Sequence, residues 1–131
     1  MRAYLAIKYH ADQRNRSEIE AISRMLESAG IETVCAARDL EKWGEIQYAP
    51  EILMMKSFSE IEVCDLMLVE LSEKGVGIGI EAGYGHARKI PIITIAKTGR
   101  DISETLRGIS SQVTTYDKVE DLKPFFTQLA N

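Results

Sequence analysis

A chain of 131 residues, 45% hydrophobic and 27% charged, has enough material for one globular domain with a real core and too little for two. Its net charge of -4, with no basic run, argues against a nucleic-acid backbone as partner and favours a small molecule. No apolar run approaches the length needed to span a membrane.

In chain order, Ala3 to Lys8 reads as a first strand. Ser17 to Ala29 follows as a helix, with Ile19, Ile22, Met25, Leu26 and Ala29 at helical spacing, a Ser17/Glu20 capping box at its start and Gly30 at its end. Ile31 to Cys35 gives a second strand. The polar stretch Ala36 to Ala49, holding Trp43, Gly44 and Tyr48, reads as a connection long enough to be functional. Pro50 opens a helix that runs to about Val63, as proline at a first helical position does. Leu66 to Leu71 is a buried strand, and Gly79 to Lys89 a helix. Pro91 to Ala96 is a further strand, Ile102 to Ile109 a short helix and Val113 to Tyr116 a fifth strand. Lys118 to Leu129 closes the chain as a helix, with a second capping-box pattern at Asp117 and Glu120. Neither repeats nor low-complexity segments interrupt this order.

The alternation of strands and helices predicts an α/β fold: a doubly wound, flavodoxin-like sheet of five parallel strands in the order 2-1-3-4-5, flanked by helices. Such sheets bind ligands beyond the carboxyl ends of the strands where the order reverses, here between the first and third strands. That brings Lys8, Tyr9 and His10 opposite the loop Ser72 to Glu81. The two cysteines, Cys35 and Cys64, read as small buried hydrophobes with no zinc-ligand spacing, and no convincing metal-ligand set is present. With no charged and apolar leader ahead of the first strand, the expected location is cytoplasmic.

Chemistry concentrates between Cys64 and Tyr84, CDLMLVELSEKGVGIGIEAGY. Gly75, Gly77 and Gly79 are expected to let the backbone bend sharply and approach a ligand. Glu81 then falls in the first turn of the following helix, where free N–H groups and the helix dipole would favour its ionised form and suit it to nucleophile or base work. Tyr84 and Arg88 follow on roughly the same face. The structural alternative is a glutamate that merely complements the dipole, although a capping box is ruled out by Ile78 three residues earlier.

Other chemistries fit less well. No GxxxxGK[ST] phosphate loop and no G-x-S-x-G elbow occurs. Gly77, Gly79 and Ala82 fit a dinucleotide fingerprint, but on the third strand, with Glu81 where a pyrophosphate would lie and no second mononucleotide half. His86 reads as a helix surface or packing residue.

The run CDLMLVELSEKGVGIGIEAGYGHARKIPIITIA, followed by ETLRGIS, resembles the nucleoside 2-deoxyribosyltransferase superfamily, including the 2'-deoxynucleoside 5'-phosphate N-hydrolases. The resemblance covers most of the chain and is strongest at Gly77-Ile78-Gly79-Ile80-Glu81-Ala82-Gly83. It implies cleavage or transfer at the N-glycosidic bond of a nucleoside or nucleotide, with Glu81 forming a covalent glycosyl-enzyme and no cofactor required. It also implies a homo-oligomer. Tyr84 and Tyr9 would orient the nucleophile or line the pocket with Gly77 and Gly79, and Lys8, His10, Arg107 and Ser110 would hold the sugar or phosphate. Where relatives carry an acidic or serine side chain six residues before the glutamate, this chain has Gly75; where they carry an aspartate that assists the leaving base, it has Ser57. The rival reading from a different class is a non-catalytic nucleotide-binding or regulatory module.

Overall fold

The computed structural model describes residues 1–131 and contains a five-stranded parallel sheet in the order β2-β1-β3-β4-β5. The strands are β1 (Arg2–Ile7), β2 (Glu32–Val34), β3 (Leu66–Glu70), β4 (Ile92–Lys97) and β5 (Gln112–Tyr116), and the helices are α1 (Arg16–Ser28), α2 (Pro50–Glu62), α3 (Val76–Ala87), α4 (Glu104–Ile109) and α5 (Lys123–Ala130). The predicted order and the predicted switch point between β1 and β3 are both present. No helix is long and apolar enough to cross a membrane.

Two apolar clusters form, one on each face of the sheet, because successive strand residues point to opposite sides. Ala3 and Leu5 join Ile19, Ile22 and Leu26 of α1 and Phe126 of α5. Tyr4 and Ala6 join Ile61 of α2 and Ile78 and Ala82 of α3. Tyr4 therefore lies beneath the α2 and α3 layer, fully buried, with its hydroxyl directed towards those helices.

Several local expectations are corrected. The Ser17/Glu20 capping box is not formed: α1 begins one residue earlier, with Asn15 at its cap, and Glu20 pairs instead with Arg16 at 2.8 Å. The Asn15 side chain is used elsewhere, donating to the Lys8 carbonyl at 2.6 Å and accepting from the His10 amide at 3.1 Å, which ties down the loop after β1. The second capping pattern is displaced by one residue, Asp121 accepting from the Lys118 amide at 3.1 Å, and a 3-10 turn (Val119–Leu122) precedes α5. The supposed long loop after β2 is partly coiled, into a π-helical turn (Ala36–Leu40) and a 3-10 turn (Lys42–Gly44).

The glycines of the third crossover also behave differently from expectation. Helix α3 starts at Val76, so Gly77 and Gly79 are helical, and Gly75 is an extended cap residue with φ -160°. None of them uses positive φ; Gly30, Gly44 and Gly99 do. The glycine that packing demands is Gly85, where an added Cβ would lie 2.2 Å from Met67 Sδ and 3.3 Å from Ile92 Cδ1. Both neighbours are buried strand side chains, so α3 sits close on the sheet. Gly85→Ala is expected to lower stability by about 1–3 kcal/mol through overpacking. Gly83→Ala, on the open side of the same helix, should instead stabilise by up to about 1 kcal/mol through helix propensity. Paired urea melts check both signs.

At the carboxyl end of β3, Glu70 turns inwards and is 2% exposed. It accepts hydrogen bonds from the Ser72 amide at 2.5 Å, the Ser72 hydroxyl at 2.8 Å and the Tyr116 hydroxyl. Ser72 Oγ also accepts from the Lys97 amide at 2.9 Å. A buried carboxylate with three donors is satisfied, and it anchors the loop that leads into α3.

Candidate active site

Above the carboxyl ends of β1 and β3 lies an open cleft of about 870 Å³, a size suited to a small-molecule ligand. Its walls come from the end of β1 and the following loop (Ile7, Lys8, Tyr9), the start of α3 (Gly75 to Ile78, and Glu81), α2 (Leu53, Met54, Ser57) and the coiled segment after β2 (Glu41, Trp43, Ile46).

Glu81 stands in the second turn of α3, part-buried, and its carboxylate accepts a hydrogen bond from the Tyr4 hydroxyl. Its electrostatics reverse the expectation from the sequence. With α3 starting at Val76, Glu81 has passed the free N–H groups of the first turn, and burial pushes its carboxyl up to about 7. The Tyr4 hydroxyl opposes that rise by donating to the charged form, and the charge of Glu41 reinforces it. Tyr4 itself is driven upward by burial and by the adjacent Glu81 charge, against the opposing influence of Ser57, so it stays protonated and remains a donor.

Of the other expected site residues, Lys8, Tyr9, Ser57, Gly75 and Gly77 line the cleft with Glu81. Ser57 is 2% exposed and lies against Tyr4. Tyr9 packs its ring 5.6 Å from that of Trp43 and donates to the Trp43 carbonyl at 3.3 Å. Gly79 is exposed and does not line the cleft. His10 sits outside it, between Glu73 and the Arg14 guanidinium. Arg107 and Ser110 belong to the far end of the sheet face: Arg107 pairs with Glu104 at 3.8 Å, and Ser110 Oγ lies 2.7 Å from Thr94 Oγ1 and donates to the Leu106 carbonyl at 2.6 Å.

Tyr84 does not meet Glu81. Its ring stacks on Phe58 with centroids 4.0 Å apart, and its hydroxyl donates to Glu62, because the three-residue step from Glu81 turns it towards α2. Tyr4 supplies the contact that Tyr84 was expected to make. The signal available in the sequence was the pairing of the first strand with the third, which sets a polar-tipped tyrosine beneath the glutamate helix. Glu41 was also missed, since it lies in a segment without periodicity. No group of three or more His, Cys, Asp or Glu side chains is gathered to hold a metal ion.

No protein-family model matches the chain, and no curated protein does. Solved structures do. The 2-deoxyribosyltransferase of Bacillus psychrosaccharolyticus is 12% identical with a TM-score of 0.72, over 94% of this chain and 90% of that one. The CMP N-glycosidase BcmB of Clostridium botulinum is 21% identical with a TM-score of 0.65, over 100% of both chains. The 2-deoxyribosyltransferase of Leishmania mexicana is 14% identical with a TM-score of 0.68, over 97% of both. At such identities the likeness is one of architecture, and the chain has the nucleoside 2-deoxyribosyltransferase-like fold shared by these enzymes.

Proposed function

We propose that this protein cleaves or transfers at the N-glycosidic bond of a nucleoside or nucleotide, with Glu81 as the nucleophile. The observation that carries this is the part-buried Glu81 carboxylate, held by Tyr4 at the floor of a cleft at the switch point of the sheet. Ionised Glu81 attacks the anomeric carbon as the bond to the base breaks. The oxocarbenium-like transition state is stabilised by the carboxylate and then captured as a covalent glycosyl-enzyme. Water or a second base resolves it. Tyr4 fixes the direction of the carboxylate and favours its charged form, while Lys8 and Tyr9 line the β1 side of the cleft, where the sugar or its phosphate is expected to rest.

The test is a panel of deoxynucleosides, ribonucleosides and their 5'-monophosphates, assayed for free base with and without an acceptor base. Release from one class supports the enzyme; dependence on the acceptor separates transferase from hydrolase. Tight binding of a panel member with no release would replace the enzyme by a nucleotide-binding module.

The proposal includes a homo-oligomer. The outer faces of α2 and α3 expose Ile52, Met55, Val76 and Ile80, with Val76 82% exposed. Val76 also lines the cleft, so a second copy seated on this face would border the site. Sedimentation is expected to show a dimer or larger assembly, and Met55→Glu combined with Val76→Glu to shift it to monomer.

A further inference from the structure

The cleft contains one carboxyl group besides Glu81, and it comes from an unusual piece of backbone. After β2 the chain makes the π-helical turn Ala36–Leu40, and Lys42, Trp43 and Gly44 then take left-handed conformations with φ of 49°, 59° and 92°. For the two non-glycine residues this costs about 1–3 kcal/mol each, strain that persists only where surrounding contacts hold it. Those contacts are present. The Arg16 guanidinium lies 4.5 Å from the Trp43 ring centroid, and the Trp43 carbonyl accepts from Tyr9 and from Gln13, each at 3.3 Å.

Glu41 stands at the start of this bend with its backbone fixed. Its amide donates to the Ala36 carbonyl at 2.9 Å, and its own carbonyl accepts from the Gly44 and Ile46 amides, both at 3.0 Å. Its side chain lines the cleft, part-buried, and burial raises its carboxyl above the ordinary range with no cation or donor set against that rise. Its charge is felt at Glu81, so the two carboxyls share one cavity electrostatically. The other polar side chains of the cleft are placed differently. The Tyr9 hydroxyl already donates to the Trp43 carbonyl, and Lys8 lines the opposite, β1 side of the cleft.

We propose that Glu41 is the acid that protonates the departing base, in the role for which Gly75 and Ser57 offer no carboxyl group. The proposal rests on the glycosidic reading of Glu81. In the first step the bond from the anomeric carbon to the base nitrogen breaks, its electron pair leaving with the base, while the Glu41 proton passes to the base and a Glu81 oxygen bonds to the carbon. In the second step the Glu41 carboxylate takes a proton from water, or from the N–H of an acceptor base. The new nucleophile bonds to the anomeric carbon, and Glu81 departs as a carboxylate. Atoms and charge balance, and both groups return to their starting forms. Burial raises Glu81 further than Glu41, so the productive arrangement, with the proton on Glu41 and the charge on Glu81, is the minor of the two one-proton forms, and the rate carries the cost of populating it.

The experiment uses the panel's best substrate and an activated counterpart of it, 5-fluorinated for a pyrimidine base or 7-methylated for a purine, whose base leaves with less help from a proton. Glu41→Gln is expected to lower kcat on the ordinary substrate by about a hundredfold or more, and on the activated one by less than about tenfold. The alkaline limb of the kcat profile should disappear, and the acid limb should move to lower pH as the neighbouring charge is removed. Glu81→Gln should abolish both reactions. Equal losses on the two substrates, a change confined to KM, or unchanged activity would each overturn the role of Glu41 while leaving Glu81 in place. No release by the wild type from any panel member would overturn the glycosidic reading and this proposal together.

Discussion

Glu81→Gln is expected to reduce release of free base by at least about a thousandfold, and also to make the protein more stable above pH 7. The two effects have one cause. The folded protein keeps the Glu81 carboxyl near 7, whereas the unfolded chain titrates a glutamate near about 4.3. A group whose folded value is raised contributes its full share of stability below the unfolded value, and that share is lost as pH rises through the folded value. Between about pH 4 and 7 the wild type therefore gives up stability as Glu81 ionises in its part-buried site. Glutamine keeps the shape and still accepts from Tyr4, but carries no charge to desolvate. Thermal melts at pH 4.5 and pH 8 are expected to show little difference at the lower pH and a gain for the variant of about 1–3 kcal/mol at the higher. A variant that is inactive and equally destabilised at both values would mean that Glu81 is structural.

Tyr4→Phe is expected to lower kcat at neutral pH by about ten- to a hundredfold and to move the acid limb of the profile upward by about one unit. The hydroxyl is the donor that holds the Glu81 carboxyl down against burial and the Glu41 charge, so without it more of the enzyme carries a protonated nucleophile at a given pH. Part of the lost rate should return as pH is raised through the displaced acid limb. A purely packing role predicts otherwise: phenylalanine fills the same volume beneath α2 and α3, and any defect would be uniform across pH. The profile of kcat against pH, taken with a melt to bound the cost of the lost bond at about 1 kcal/mol, separates the two.

The architecture was legible because each crossover announces itself. Ile19, Ile22 and Leu26 keep helical spacing, Pro50 starts α2 where proline is tolerated, and Leu66–Glu70 and Ile92–Lys97 are apolar runs of strand length. From these the parallel order and the switch point follow. The start of α3 was not legible, since Val76-Gly77-Ile78-Gly79 has low helix propensity and forms helix only because Ile78 and Ala82 are buried against the β1 and β3 side of the sheet. That shift of three residues altered the chemistry assigned to Glu81, from a carboxylate eased by the helix dipole to one raised by burial. Tyr4 is fully buried in the first strand, and nothing in that strand's pattern marks it for the site. Only the pairing of Tyr4 with Met67 across β1 and β3, with α3 lying above, reveals that its hydroxyl has somewhere to go. Glu41 depends on three left-handed residues, two of them a lysine and a tryptophan, for which composition carries no signal.

The separate origins of Glu81 and Glu41 have a consequence for how such a site can change its preferences. Glu81 and Tyr4 are set by a strand and a helix packed into the core, where Gly85 against Met67 leaves little freedom. Glu41 belongs to an irregular span, residues 36–49, that touches the rest of the cleft from outside the sheet. Exchanging that span replaces one wall of the cavity without disturbing the floor, so on the proposed function substrate range would diverge while the Glu81 nucleophile stayed constant. A lineage built on this plan could change what its cleft accepts by remodelling a single surface segment.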